Sequence, residues 1–198
     1  MSAEVETMTA HPLLDAADSL LVVVDTQPGF LGRLEPGVAD TVVERIAWLV
    51  RVARQLGVPV VVTEEESDRH GSTDARIREV LPAATPRHEK AVFGLADQLD
   101  ILDAVVATGR RTAVLVGLEA DVCVAQSAIG LLGRGYRVAV VADATASPAG
   151  GTAAGLDRIR SAGGLVTATK GLFYEWTRTV AEADTVMTAV EPPADLVL

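Results

Sequence analysis

Two residues stand where nucleophilic chemistry could be done. Cys123, the only cysteine of the chain, follows the apolar run Ala113–Val116, which is short, β-branched and typical of a strand buried on both faces. Gly117 ends that run. Asp121 is the expected cap of a helix continuing through Ile129 and Leu132 to Gly133 and Gly135. Cys123 is thereby expected in the first turn of a helix, just past the carboxyl end of a strand. Unpaired backbone N–H groups and the helix dipole favour a thiolate there. A lone cysteine also fits a second role, that of a small buried hydrophobe. Asp25 is the other residue. It ends the wholly apolar Leu20–Val24, and partial desolvation of a carboxylate in that position raises its pKa toward values useful for proton abstraction.

No histidine is an evident partner for the thiol. His11 falls in the N-terminal segment, His70 in a polar stretch, and His88 before a brief strand, where a partly exposed structural role is expected. The run Glu64–Glu66 reads as a solvated loop, one carboxylate of which could edge a pocket.

The elements that must place Cys123 and Asp25 are read from periodicity. Strands are expected at Leu20–Val24, Val58–Thr63, near His88–Phe93, at Ala113–Val116, Tyr136–Ala142 and Leu165–Ala168. Helical spacing covers Thr41–Leu56, Asp74–Leu81, Gln98–Thr108, Thr152–Ala162 and Phe173–Val190. This alternation predicts an α/β fold, a three-layer α/β/α arrangement around a central, mostly parallel doubly wound sheet, whose ligand site lies beyond the strands' carboxyl ends. Residues 1–18 are expected as a loose arm and 19–198 as a single domain.

Composition sets the outer limits. Of 198 residues only 4% are aromatic, so Val, Leu, Ala and Ile must build the core, and the net charge of −10 disfavours nucleic acid and anionic membrane surfaces. Glu4 and Glu6 stand where a signal peptide would need positive charge, and no long apolar segment follows. One cysteine allows no internal disulfide; the expectation is a cytoplasmic protein. No phosphate-loop spacing occurs.

Asp25-Thr-Gln-Pro-Gly-Phe30, Lys90-Ala-Val-Phe93 and Gly117-Leu-Glu-Ala-Asp-Val-Cys-Val124, taken together and in this order, resemble the isochorismatase-like cysteine hydrolases. The resemblance runs from about Leu20 to Val180. It implies a triad of Asp25, Lys90 and Cys123, in which Lys90 lowers the thiol pKa and Asp25 carries the proton. It also implies an oxyanion hole near Ala120 and Cys123, with a non-proline cis peptide mapping to Glu119–Ala120. Gln27, Phe30, Phe93 and Trp176 are the pocket candidates.

The sequence departs from the family at several points. Ala120 replaces a common threonine, and Glu119 a small or apolar residue, which bears on specificity. The Asp-x-His that nicotinamidases carry after the second strand is absent; Asp68-Arg-His70 comes later, so no metal and no cofactor are expected. The expected activity is hydrolysis of a small amide, ureide or related C–N compound through a covalent cysteine intermediate. The alternatives are a non-catalytic scaffold, vinyl-ether hydrolysis of the isochorismate type (whose enzymes often lack the cysteine), and a redox sensor, for which a resolving cysteine is missing. A closed homo-oligomer is expected from the apolar positions Phe173, Trp176, Val180 and Met187.

Overall fold

The structure is a computed structural model that describes residues 12–198. Six strands form one sheet: β1 (Ser19–Val24), β2 (Val60–Glu65), β3 (Arg87–Lys90), β4 (Thr112–Leu118), β5 (Arg137–Ala146) and β6 (Leu165–Thr167). Every pairing is parallel, and the spatial order is β3-β2-β1-β4-β5-β6. The helices are α1 (Pro28–Leu31), α2 (Val38–Gln55), α3 (Ser67–His70), α4 (Ala75–Arg78), α5 (Leu99–Ala107), α6 (Ala125–Gly133), α7 (Gly151–Ser161), α8 (Thr169–Thr177) and α9 (Val180–Ala189). Among the described residues no helix is long and apolar enough to cross a membrane.

Because strand side chains alternate, β1 feeds two cores at once. Leu21 and Val23 join Ile46, Trp48 and Phe173 under α2 and α8. Leu20, Val22 and Val24 join Ile101, Leu131 and Ile159 under α5, α6 and α7. All six residues of β1 and all seven of β4 are buried, Ser19 and Thr112 included, as central strands of a doubly covered sheet must be. The winding reverses between β1 and β4, so their carboxyl ends open the crevice where such sheets place a ligand. Gly117 makes the close contact there possible. At φ 118°, a Cβ on it would come within 2.0 Å of the Val24 carbonyl oxygen.

Several elements differ from expectation. Strand β2 runs on through Glu64 and Glu65, whose backbones pair with Glu89 and Lys90 of β3. The first two glutamates therefore belong to the sheet and not to a loop. The C-terminal helix is two helices, broken at Arg178 (φ 62°), where Thr179 caps α9 by accepting the Glu182 N–H. Phe173 and Trp176 point into the core and Met187 is partly buried against it, so of the four proposed interface positions Val180 is the exposed one, at 79%. Residues 12–18 are not loose: Leu14 is buried, its N–H donates to Glu175 Oε2, and Arg137 donates to the carbonyls of Pro12 and Leu13. The first eleven residues of the expected arm, His11 included, lie outside the described residues.

Candidate active site

Four neighbouring strands each deliver one polar side chain at the carboxyl edge of the sheet. Lys90 is the last residue of β3 and Glu65 the last of β2. Asp25 follows β1, and Cys123 follows β4 by one turn. Asp25 adopts φ 42°, a left-handed setting that aspartate tolerates better than most residues. Its N–H donates to the Thr63 carbonyl, and its own carbonyl accepts from the Gln27 N–H. Thr63 Oγ1 donates to Asp25 Oδ1 at 2.8 Å, which fixes the carboxylate.

Cys123 lies in a single π-helical turn, Ala120–Val124, that leads into α6. Its expected cap does not form. Asp121 sits inside the turn and accepts from Ser147 Oγ at 2.6 Å, while Glu119 precedes the turn without a side-chain cap. The turn is wedged against α7: a Cβ at Gly155 would meet the Ala120 carbonyl oxygen at 2.4 Å. The cis peptide of this region is Leu118–Glu119, one bond earlier than the expected Glu119–Ala120, at the point where β4 ends.

The groups converge on one ammonium. Lys90 Nζ is 2.7 Å from Asp25 Oδ2, 3.0 Å from Glu65 Oε2 and 3.6 Å from Cys123 Sγ, and donates to the Val92 carbonyl at 2.9 Å. Cys123 Sγ in turn donates to Glu65 Oε2 at 3.1 Å. Asp25 is engaged at both oxygens, Oδ2 facing the Lys90 ammonium and Oδ1 taking the Thr63 hydroxyl. Asp25, Lys90 and Cys123 are buried, whereas Glu65 reaches the surface with 13% of its side chain.

These surroundings set the ionisation states. Burial, then the Asp25 charge, pushes the Cys123 thiol up, and Lys90 opposes this without prevailing. The direction runs against the expected lowering by Lys90 and the helix terminus, because two carboxylates face one ammonium. Burial also raises Asp25, against the pull of Lys90. Burial acts on Glu65 in the same sense, but hydrogen bonds from Lys90 and Cys123 outweigh it and bring that carboxyl below its usual range. Burial would lower Lys90, but the Asp25 charge and the contacts with Asp25 and Glu65 outweigh it and keep the group an ammonium.

The pocket candidates separate. Gln27 is fully buried and spent on backbone: Oε1 accepts the Glu65 N–H at 2.7 Å, and Nε2 donates to the carbonyls of Glu65 and Gly71. It positions the end of β2 and does not line a pocket. Phe30 is buried against His70, ring centroids 4.4 Å apart, with the Arg33 guanidinium over its ring. Phe93, three residues beyond Lys90, is 54% exposed. Trp176 is not at the site. Its Nε1 donates to Ser19 Oγ, at the amino end of β1 and thus the opposite edge of the sheet.

Among the described residues, the side chains close enough to share a metal are Asp25, Glu65 and Cys123, their ligand atoms within 4.8 Å of one another. Lys90 Nζ stands among them and supplies the positive charge those acids face. Asp68 and His70 diverge, the first exposed and the second buried on Phe30.

Thr63 is the site residue that sequence reasoning did not single out, and Glu65 entered it only as one of three glutamates, any of which could edge a pocket. The signal for both was the same: if the strand continued past Thr63, alternate residues would stay at the site's edge.

A family model described as Isochorismatase domain matches residues 19–171. A secreted isochorismatase effector of Phytophthora sojae is 32% identical over 161 residues, covering 79% of this chain and 76% of the relative. The fold is similar to that of the Escherichia coli YcaC gene product, an octameric hydrolase of unknown specificity, with TM-score 0.81, 24% identity and coverage of 92% and 93% of the two chains. N-carbamoylsarcosine amidase from Thermoplasma acidophilum is 28% identical, with TM-score 0.63 and coverage of 77% of this chain and 96% of that one.

Proposed function

The chain belongs to the isochorismatase family of hydrolases, and on that premise we propose that it hydrolyses a C–N bond of a small amide or ureide with Cys123 as nucleophile. The observation that carries this reading is the contact of one ammonium with both the buried carboxylate of Asp25 and the chain's sole thiol. The amidase similarity supports the bond class.

The thiol enters the reaction protonated. As Sγ bonds to the substrate carbonyl carbon, its proton passes to Asp25, whose place beside the thiol and raised pKa suit it to receive one. Lys90 keeps the pair from accumulating negative charge. The backbone N–H groups of Ala120 and Cys123 steady the oxyanion. The C–N bond breaks, and Asp25 returns the proton to the leaving nitrogen. Water then attacks the thioester carbon, gives its proton to Asp25, and the C–S bond breaks as the thiol is restored. Thr63 and Gln27 act through others, the first orienting Asp25 and the second holding the backbone of Glu65.

A panel of small amides and ureides, assayed for released ammonia, tests this. Wild-type protein should release ammonia from at least one and, on acid quench, carry the acyl mass on Cys123. Hydrolysis retained by Cys123→Ala would end the reading. We also propose self-association, in keeping with the octameric similar structure and the exposed Leu99, Val106 and Val180. Sedimentation should show a species larger than 20.7 kDa.

A further inference from the structure

Glu65 is a fourth ionisable group of the site, and its chemistry differs from that of the other three. Its Oε2 takes both available donors, the Lys90 ammonium at 3.0 Å and the Cys123 thiol at 3.1 Å. Its Oε1 accepts from no group among the described residues, and Glu65 has the largest exposure of the four side chains.

The carboxylates around it are already matched. Glu64 accepts from the Thr73 N–H and Oγ1 and pairs with Arg87. Glu66 pairs with Arg69 at 3.2 Å, and Glu119 with Arg33 at 3.3 Å. Glu65 instead shares a single ammonium with Asp25. Two carboxylates against one cation leave an excess of one negative charge, and moving the thiol proton to Asp25 does not change that sum. A substrate thus enters a site that lacks one positive charge and presents one free acceptor oxygen.

Resting on the hydrolase reading, we propose that Glu65 is the specificity-determining residue: its Oε1 binds a protonated amine, amidine or guanidine on the substrate beside the scissile C–N bond. The class selected is a cationic amide, and an acidic amide is excluded by the same carboxylate. Binding has a second consequence. A cation on Glu65 competes with Lys90 and the thiol for that carboxylate, which leaves Lys90 more fully to the developing thiolate. Only a substrate carrying the cation then gains this help.

Because Cys123 is the sole thiol, its reaction with charged thiosulfonates reads the local field directly. The thiolate attacks the reagent sulfur, a disulfide forms, methanesulfinate leaves, and the thiol proton goes to solvent. The probes are aminoethyl, hydroxyethyl and sulfonatoethyl methanethiosulfonate, similar in size and differing in charge, each rate normalised to that with free cysteine. In the wild-type protein the cationic reagent should outpace the anionic one by at least about a hundredfold, and Glu65→Gln should cut that ratio by at least about tenfold. An unchanged ratio in Glu65→Gln would overturn the proposal. If that variant does not fold, the wild-type series decides alone, since cationic and anionic reagents reacting at parity would equally overturn it. Charge selectivity retained in a protein that releases no ammonia from any amide would refute the hydrolase reading and support Glu65 as the cation acceptor; ammonia release without charge selectivity would refute Glu65 alone.

Discussion

Removing Lys90 should cost the protein stability in a way that depends on pH with a definite sign. In Lys90→Met the side chain keeps its length and loses its charge, leaving Asp25 and Glu65, which stand 2.7 and 3.0 Å from the ammonium, without a counter-ion. Unit charges 3 Å apart interact by roughly 5 kcal/mol at an effective dielectric near 20. Desolvation of the ammonium offsets part of this, so a loss of about 3–5 kcal/mol is expected, against a total stability of about 5–15 kcal/mol. Deprived of Lys90, both carboxyls lose a force that lowers their pKa, and Asp25, already raised by burial, rises further. A carboxyl whose folded pKa lies above its unfolded value binds the extra proton in the folded state. Its stabilisation is therefore largest at low pH and is lost as pH rises through the folded pKa. The gap between variant and wild type should be widest near pH 8 and shrink by up to about 1.4 kcal/mol per pH unit on acidification. Urea unfolding at half-unit steps from pH 5 to 8 measures this. A gap that widens toward low pH, or a variant as stable as wild type at pH 8, would show that Lys90 does not balance these carboxylates.

Three other outcomes follow from the same geometry. Asp25→Asn should lower amide turnover by about 10²–10⁴, yet speed iodoacetamide labelling of Cys123 near neutrality, because the Asp25 charge is among the causes that hold the thiol up. Slower labelling would contradict that assignment. Trp176→Phe should leave turnover unchanged and cost about 1 kcal/mol by losing the bond to Ser19 Oγ; a selective loss of activity would return Trp176 to the site. Ammonia release should survive thorough chelation, since Lys90 carries the positive charge the three acidic groups face. A loss restored by zinc, manganese or iron would show otherwise.

What the sequence shows of this site follows the locality of each cause. Asp25 and Cys123 are legible because each ends or follows an unbroken apolar strand, a purely local pattern. Lys90 is visible only through its motif, since β3 is four polar residues with no periodicity of its own. Glu65 is hidden because a run of three glutamates reads as solvated loop; pairing with β3, a long-range event, keeps it in the sheet. Gln27 and Trp176 have side-chain types that suit a binding pocket, and only the folded chain shows them consumed by a backbone clamp and by the far edge of β1. The thiol's ionisation goes the same way. Helix terminus and lysine both argue downward, but burial and the Asp25 charge brought beside the thiol are tertiary, and both push it up.

Strand β3 is the edge of the sheet, four residues long and paired on one side only, through Val62–Arg87 to Glu65–Lys90. Edge elements open locally at lower free energy than the centre of a sheet. Lys90 travels with β3, whereas Asp25 and Cys123 are anchored at the central β1 and β4. On warming, fraying of this margin would carry the ammonium away from a sheet that is otherwise intact. Heat should therefore silence the protein while its circular dichroism is still native, and cooling should restore it without refolding. Amide hydrogens of Glu89 and Lys90 that exchange ahead of those in β1, at the temperature where activity fades, would mark that early failure.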